Sequence, residues 1–154
     1  MPLYSFDTSV FIETWHRLLP PTVFVTLWQR LDDLIDEGLV RAVDEVKVEI
    51  DRRDDAVKVW ASQRPHLFVP LEEDIQRSTT AALTYCERMV GFGGGRSGGD
   101  PFVIGLAHAR GGTVVTEESA SGNLNKPRIP DVCDAMGIKC INMVGFIQEQ
   151  GWTF

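Results

Sequence analysis

Short apolar runs alternate along the chain with longer segments in which apolar residues return every three or four positions. "LYSF" reads as a short strand that ends at Asp7. In "TSVFIETWHRLL" the apolar residues Phe11, Trp15, Leu18 and Leu19 have helical spacing, and Pro20 and Pro21 close the segment. "TVFVTLWQRLDDLIDEG" repeats the helical pattern through Phe24, Leu27, Trp28, Leu31, Leu34 and Ile35, with Gly38 as its stop. "LVRAV" predicts a second strand, followed by a helix from Asp44 and further helix through "AVKVWASQ". "LFVPL" is a third short strand and "EEDIQRSTTAALTYCERMV" a long helix. Asp100 and Pro101 suit the N-cap and first turn of the next helix. "GGTVVT" is a β-branched buried strand behind a turn signal. A polar loop follows, then a short helix from Pro130, the strand "IKCIN" and a last helix, "MVGFIQEQ". Strands alternating with helices predict βαβ units. The expected fold is α/β: a three-layer α/β/α sandwich around a central, mostly parallel sheet, in one domain over residues 1–154.

Composition narrows the classes. Hydrophobic residues make up 44% and charged residues 24%, the balance of a globular chain. No segment approaches the roughly 20 apolar residues of a membrane span, and the N-terminus lacks the pattern of a signal peptide. Cys86, Cys133 and Cys140 form no C-x-x-C pair, which points to a reducing cytoplasm. The net charge of −7 argues against broad, charge-driven binding to nucleic acid and is compatible with a carboxylate pocket holding a metal. His16, His66 and His108 are too scattered to support a His-based zinc site or triad.

In open α/β sheets chemistry collects beyond the carboxyl ends of the strands. Asp7 follows the first strand, Glu117 and Glu118 follow "VVT", and Asp100 opens a helix beside the sheet. On the helix after "LVRAV", Val46 and Ile50 mark the buried side. At about 100° per residue, Glu49 lies roughly 80° from its centre and Glu45 about 120°, so Glu49 is the one expected to reach a rim pocket. N-capping alone also accounts for Asp7 and Asp100, and a solvated charge for Glu49. Taken together, four carboxylates at one edge would repel each other. A hard divalent cation, Mg²⁺ or Mn²⁺, removes that conflict.

"YSFDTSVFI", "VKVEI", "GGDPFVIGLA" and "VVTEE" resemble, in order and across nearly the whole chain, the four acidic motifs of the PIN-domain superfamily. The closing segment from Lys126 to Cys133 and the T-x-E of Thr116 to Glu118 resemble a PIN-like group with little functional characterisation. The resemblance implies a metal-dependent endoribonuclease, with VapC-type toxins held by an antitoxin as the nearest model. Asp7, Glu49, Asp100 and Glu118 match the four catalytic acids; Glu118 stands where the family usually has Asp. Asp7, Asp100 and Glu118 would hold Mg²⁺ or Mn²⁺, directly or through water, and Glu49 would complete the ring or position the attacking water. Hydrolysis would leave a 5′-phosphate and a 3′-hydroxyl. Thr8, Ser9 and Thr116 could steady a ligand or a metal-bound water.

Six glycines in Gly91–Gly99 precede Asp100, a costly choice unless something must approach closely there. Such a loop would admit an RNA backbone, with Arg96 meeting phosphates and Arg88, Lys47, Arg52, Arg53, Lys126 and Arg128 widening the patch. A solvated spacer is the plainer explanation. The expected partners are RNA, an antitoxin protein and a second copy of the chain, since the tail "GWTF" either tucks into the core or adds to an apolar patch. A catalytically inactive PIN-like module binding RNA or protein is the competing reading. Neither the phospho-accepting Asp and Lys of a receiver domain nor a D-x-D phosphatase motif is present, since "TS" follows Asp7.

Overall fold

The structure, a computed structural model, describes residues 3–91, 100–122 and 127–154; the side chains of 86–91 and 100 lie outside that description. The chain runs β1 (Tyr4–Phe6), α1 (Thr8–Glu13, extended by a π-helical turn Thr14–Leu18), α2 (Val25–Asp36), β2 (Val40–Val43) and α3 (Asp44–Asp51). It continues through α4 (Ala56–Ser62), a 3₁₀ turn, β3 (Phe68–Val69), α5 (Glu73–Gly91) and α6 (Asp100–Arg110). β4 (Thr113–Val115), α7 (Ile129–Met136), β5 (Cys140–Ile141) and α8 (Met143–Gln150) complete it. The expected α/β/α architecture is present.

The five strands lie in the order β3-β2-β1-β4-β5, all parallel. The chain builds outward from β1 through β2 to β3, then crosses back to place β4 on the other side of β1. The connection direction therefore reverses between β1 and β4, and a crevice forms at that point beyond the strand ends. Parallel strands are buried on both faces, so every residue of β1 and β4 is buried.

The pleat sends alternate residues of β1 to opposite layers. Tyr4 and Phe6 meet Phe146 of α8 edge-on, at ring-centre distances of 4.8 and 5.1 Å, and Phe6 also packs on Phe11 of α1. Ser5 points the other way and donates a 2.8 Å hydrogen bond to the Val103 carbonyl of α6. Under β2, the apolar stripe of α2 buries Leu27, Trp28, Leu31 and Ile35, as its spacing predicts. Trp28 meets Trp15 and Trp60 edge-on, while its indole N–H donates to the Leu19 carbonyl. The tail is divided: Trp152 is half-buried against Phe146, whereas Phe154 is 59% exposed with the Arg30 guanidinium over its ring. Among the described residues no helix is long and apolar enough to cross a membrane.

Candidate active site

Asp7 is the centre of the arrangement. It follows β1 in extended conformation, caps α1, and is only 4% exposed. Register aligns Phe6 with Val115, so the next pair along, Asp7 and Thr116, sits side by side at the β1–β4 crevice. The Asp7 amide donates to the Val115 carbonyl at 3.0 Å.

Three donors converge on the carboxylate. The Thr8 amide donates to Oδ1 at 2.8 Å, while the Ser9 and Thr116 hydroxyls donate to Oδ2 at 2.7 and 2.9 Å. Each hydroxyl also accepts a backbone N–H at 3.1 Å: Ser9 from Glu117, Thr116 from Glu118. The two hydroxyls therefore act as relays that lock the segment after β4 onto Asp7. Among the described residues Oδ2 accepts two donors and Oδ1 one, which leaves Oδ1 a lone pair for a further partner. Burial pushes the Asp7 carboxyl above its ordinary pKa; the hydrogen bonds from Ser9, Thr116 and Thr8 work against this, and the charge of Glu49 adds to it.

The other expected residues are placed as follows. Glu49, half-buried on α3, lies close enough to Asp7 for its charge to be felt there; Glu45 is also half-buried. Glu117 and Glu118 separate cleanly. The Glu117 carboxylate accepts the Met143 amide at 2.9 Å and so caps α8, while half-buried Glu118 acts electrostatically on Cys140 together with Asp7. The Cys140 thiol, held below its ordinary pKa by a hydrogen bond with Cys133 and opposed by burial and by those two acids, marks the β5 side of the same edge. Thr8 contributes its backbone N–H; its buried hydroxyl has no hydrogen-bond partner among the described residues.

α6 brings Asp100 to this edge by direction alone. Its C-terminal end precedes Gly112, which packs on the Leu3 carbonyl at the start of β1. The helix therefore runs against β1, with its first residue toward the carboxyl end. Ser5 bonds Val103, one turn beyond Asp100, and Asp7 continues the Ser5 side of the pleat, the side that α6 covers. The glycine-rich run from 92 to 99, Arg96 and Lys126 fall outside the described residues, as do the side chains of Asp100 and Arg88. Without Asp100, no group of three or more Asp, Glu, His or Cys side chains stands close enough to hold a metal ion among the described residues. Lys47 pairs with Asp51 and Arg53 with Asp55, so part of the expected basic patch is neutralised locally.

One carboxylate that the spacing of acids did not single out is Asp131 on α7, which gathers the loop after β4. Its sequence signals are its place in the Lys126–Cys133 segment and at the third position of a helix with Pro130 in its first turn.

The fold is similar to solved structures of 11–16% identity. VapBC2 from Rickettsia felis bound to a promoter DNA fragment matches at TM-score 0.55 and 11% identity, over 91% of this chain and 98% of that one. DNA-bound VapBC from Salmonella typhimurium matches at TM-score 0.57 and 16% identity, over 92% and 98%. FitAcB from Neisseria gonorrhoeae matches at 0.53 and 14%, over 91% and 97%. No curated protein matches the sequence significantly. The model of the DUF4411 family, described as a domain of unknown function, matches residues 4–154. The chain therefore belongs to the DUF4411 family and carries the PIN-like fold of the VapC structures.

Proposed function

We propose that the protein is a metal-dependent endoribonuclease that hydrolyses RNA phosphodiester bonds, working in the cytoplasm as the toxin of a toxin–antitoxin pair. The observation that carries this reading is the buried Asp7 carboxylate at the β1–β4 crevice, held by three donors and raised in pKa by burial and by Glu49. Acids arranged against their own ionisation fit a bound cation, and an all-oxygen donor set fits Mg²⁺ or Mn²⁺. Asp7, Asp100 and Glu118 would hold it, with Glu49 completing the ring or orienting the attacking water. Such an ion supplies a more acidic water and offsets charge developing on the phosphate. The chain's own residues supply the rest: Ser9 and Thr116 orient Asp7, and Glu117, engaged with α8, leaves Glu118 as the acid of the fourth position. Neighbours solved as VapBC complexes support an antitoxin partner.

Incubation of the purified chain with a mixed pool of transfer and ribosomal RNA, with Mg²⁺, Mn²⁺ or EDTA, tests the reading. Discrete cuts that require metal and carry 5′-phosphates are expected. Absence of cleavage in every metal condition would favour a binding module that has lost catalysis.

A further inference from the structure

Asp131 is 9% exposed and accepts four hydrogen bonds from the described residues. The Ser121 amide and hydroxyl reach Oδ2 at 2.8 and 2.9 Å, the Arg128 amide reaches the same oxygen at 2.8 Å, and the Gly122 amide reaches Oδ1 at 3.0 Å. Burial alone would raise its pKa, but the donors from Ser121, Arg128 and Gly122 outweigh burial and hold the carboxylate below its ordinary value. It is an ionised group built into the structure, and these donors come from the loop between β4 and α7: Ser121 and Gly122 in its middle and Arg128 at its end.

That loop carries Glu118. Upstream, Glu118 is fixed through its own amide to Thr116, and Glu117 is fixed at both its amide and its carboxylate. Downstream, the next fixed residue is Ser121, on Asp131. Only exposed Ser119 and Ala120 lie between the two anchors. A Glu side chain has one more rotatable bond than Asp, so Glu118 needs a tightly held backbone to present its carboxylate in one place.

We propose that Asp131 is a positioning residue for the acidic centre: by gathering Ser121, Gly122 and Arg128 onto one carboxylate it fixes the segment that presents Glu118 to the ion beside Asp7. Its consequence for metal binding rests on the ribonuclease reading; its geometry does not. Asp131→Asn is the informative variant, because an amide must turn its NH₂ either toward the Gly122 amide or toward the Oδ2 donors, breaking charge-assisted bonds at nearly constant volume.

The test uses the full chain, with Asp134→Asn on the exposed side of the same helix as control. Mn²⁺ affinity is measured by calorimetry well below each variant's melting temperature, and amide hydrogen exchange is followed at residues 117–122. Asp131→Asn should weaken Mn²⁺ binding about tenfold and speed exchange at 118–122, with the control unchanged. Faster exchange with unaltered Mn²⁺ affinity would make Asp131 a purely structural clamp and overturn the proposal, as would unaltered exchange. If Asp131→Asn does not fold, Ser121→Ala removes a single donor; weakened Mn²⁺ binding supports the proposal and wild-type affinity overturns it. A wild-type chain that neither binds Mn²⁺ nor cuts RNA overturns the ribonuclease reading instead, a result visible without any variant.

Discussion

Burial and the nearby charge of Glu49 make ionised Asp7 an unfavourable group in the metal-free fold. For an acid whose folded pKa is raised, the folded state holds its proton to higher pH than the unfolded chain. Stability is therefore lost as pH rises from the ordinary carboxylate value through the raised one. Asp7→Asn should raise the melting temperature by a few degrees at pH 7 in EDTA, and the advantage should vanish at acid pH; thermal unfolding across pH measures both. Asp131 has the opposite sign. Its depressed pKa contributes stability above the ordinary carboxylate value that is lost as pH falls through the folded one, so Asp131→Asn should lower the melting temperature at neutral pH. Thr116→Val keeps shape but removes the donor to Asp7 and the acceptor for the Glu118 amide, at a cost of about 1–3 kcal/mol by urea unfolding. Asp7, Asp100 and Glu118 were legible in the sequence because each follows a strand or opens a helix, and Glu49 because of its angle from the buried side of α3. What Ser9, Thr116 and Glu117 touch was not, because those residues bond across positions such as 7 and 116 that only the sheet register brings together, and the Asp131 bonds depend on how one loop folds back on its helix.

At the scale of elements, α6, which opens with Asp100, packs closely on α5. Gly105 on α6 meets Thr79 of α5: an added Cβ would stand 2.1 Å from the Thr79 hydroxyl and 3.0 Å from its backbone nitrogen. The hydroxyl can rotate but the backbone cannot, so Gly105→Ala should force the helices apart and destabilise by about 1–3 kcal/mol. Thr79→Ser should recover little of that loss, because the clash with the main chain persists; chemical denaturation of the single and double variants checks both. The elements themselves were well marked. Val46 and Ile50 predicted the buried side of α3, and both are fully buried. Prolines and glycines placed the breaks, while strand ends shifted by a residue or two: the "IKCIN" run forms only the two-residue strand Cys140–Ile141, since β5 pairs with β4 alone at the edge of the sheet.

For the molecule as a whole, the strand order fixes where chemistry can occur. The reversal between β1 and β4 brings residue 7 beside residue 116, and the direction of α6 carries residue 100 to the same edge. Alternating strands and helices revealed the parallel sheet but not the order of its strands, and so gave the candidate acids without their distances. The central claim is that Asp7 and Asp100 act together on RNA through a divalent ion. Its most direct test is the rate of Mg²⁺-dependent RNA cleavage by wild type, Asp7→Asn and Asp100→Asn, each shown to be folded by circular dichroism. Either substitution should lower the rate at least about a hundredfold while the fold is kept. Cleavage by either variant at close to the wild-type rate would contradict the claim.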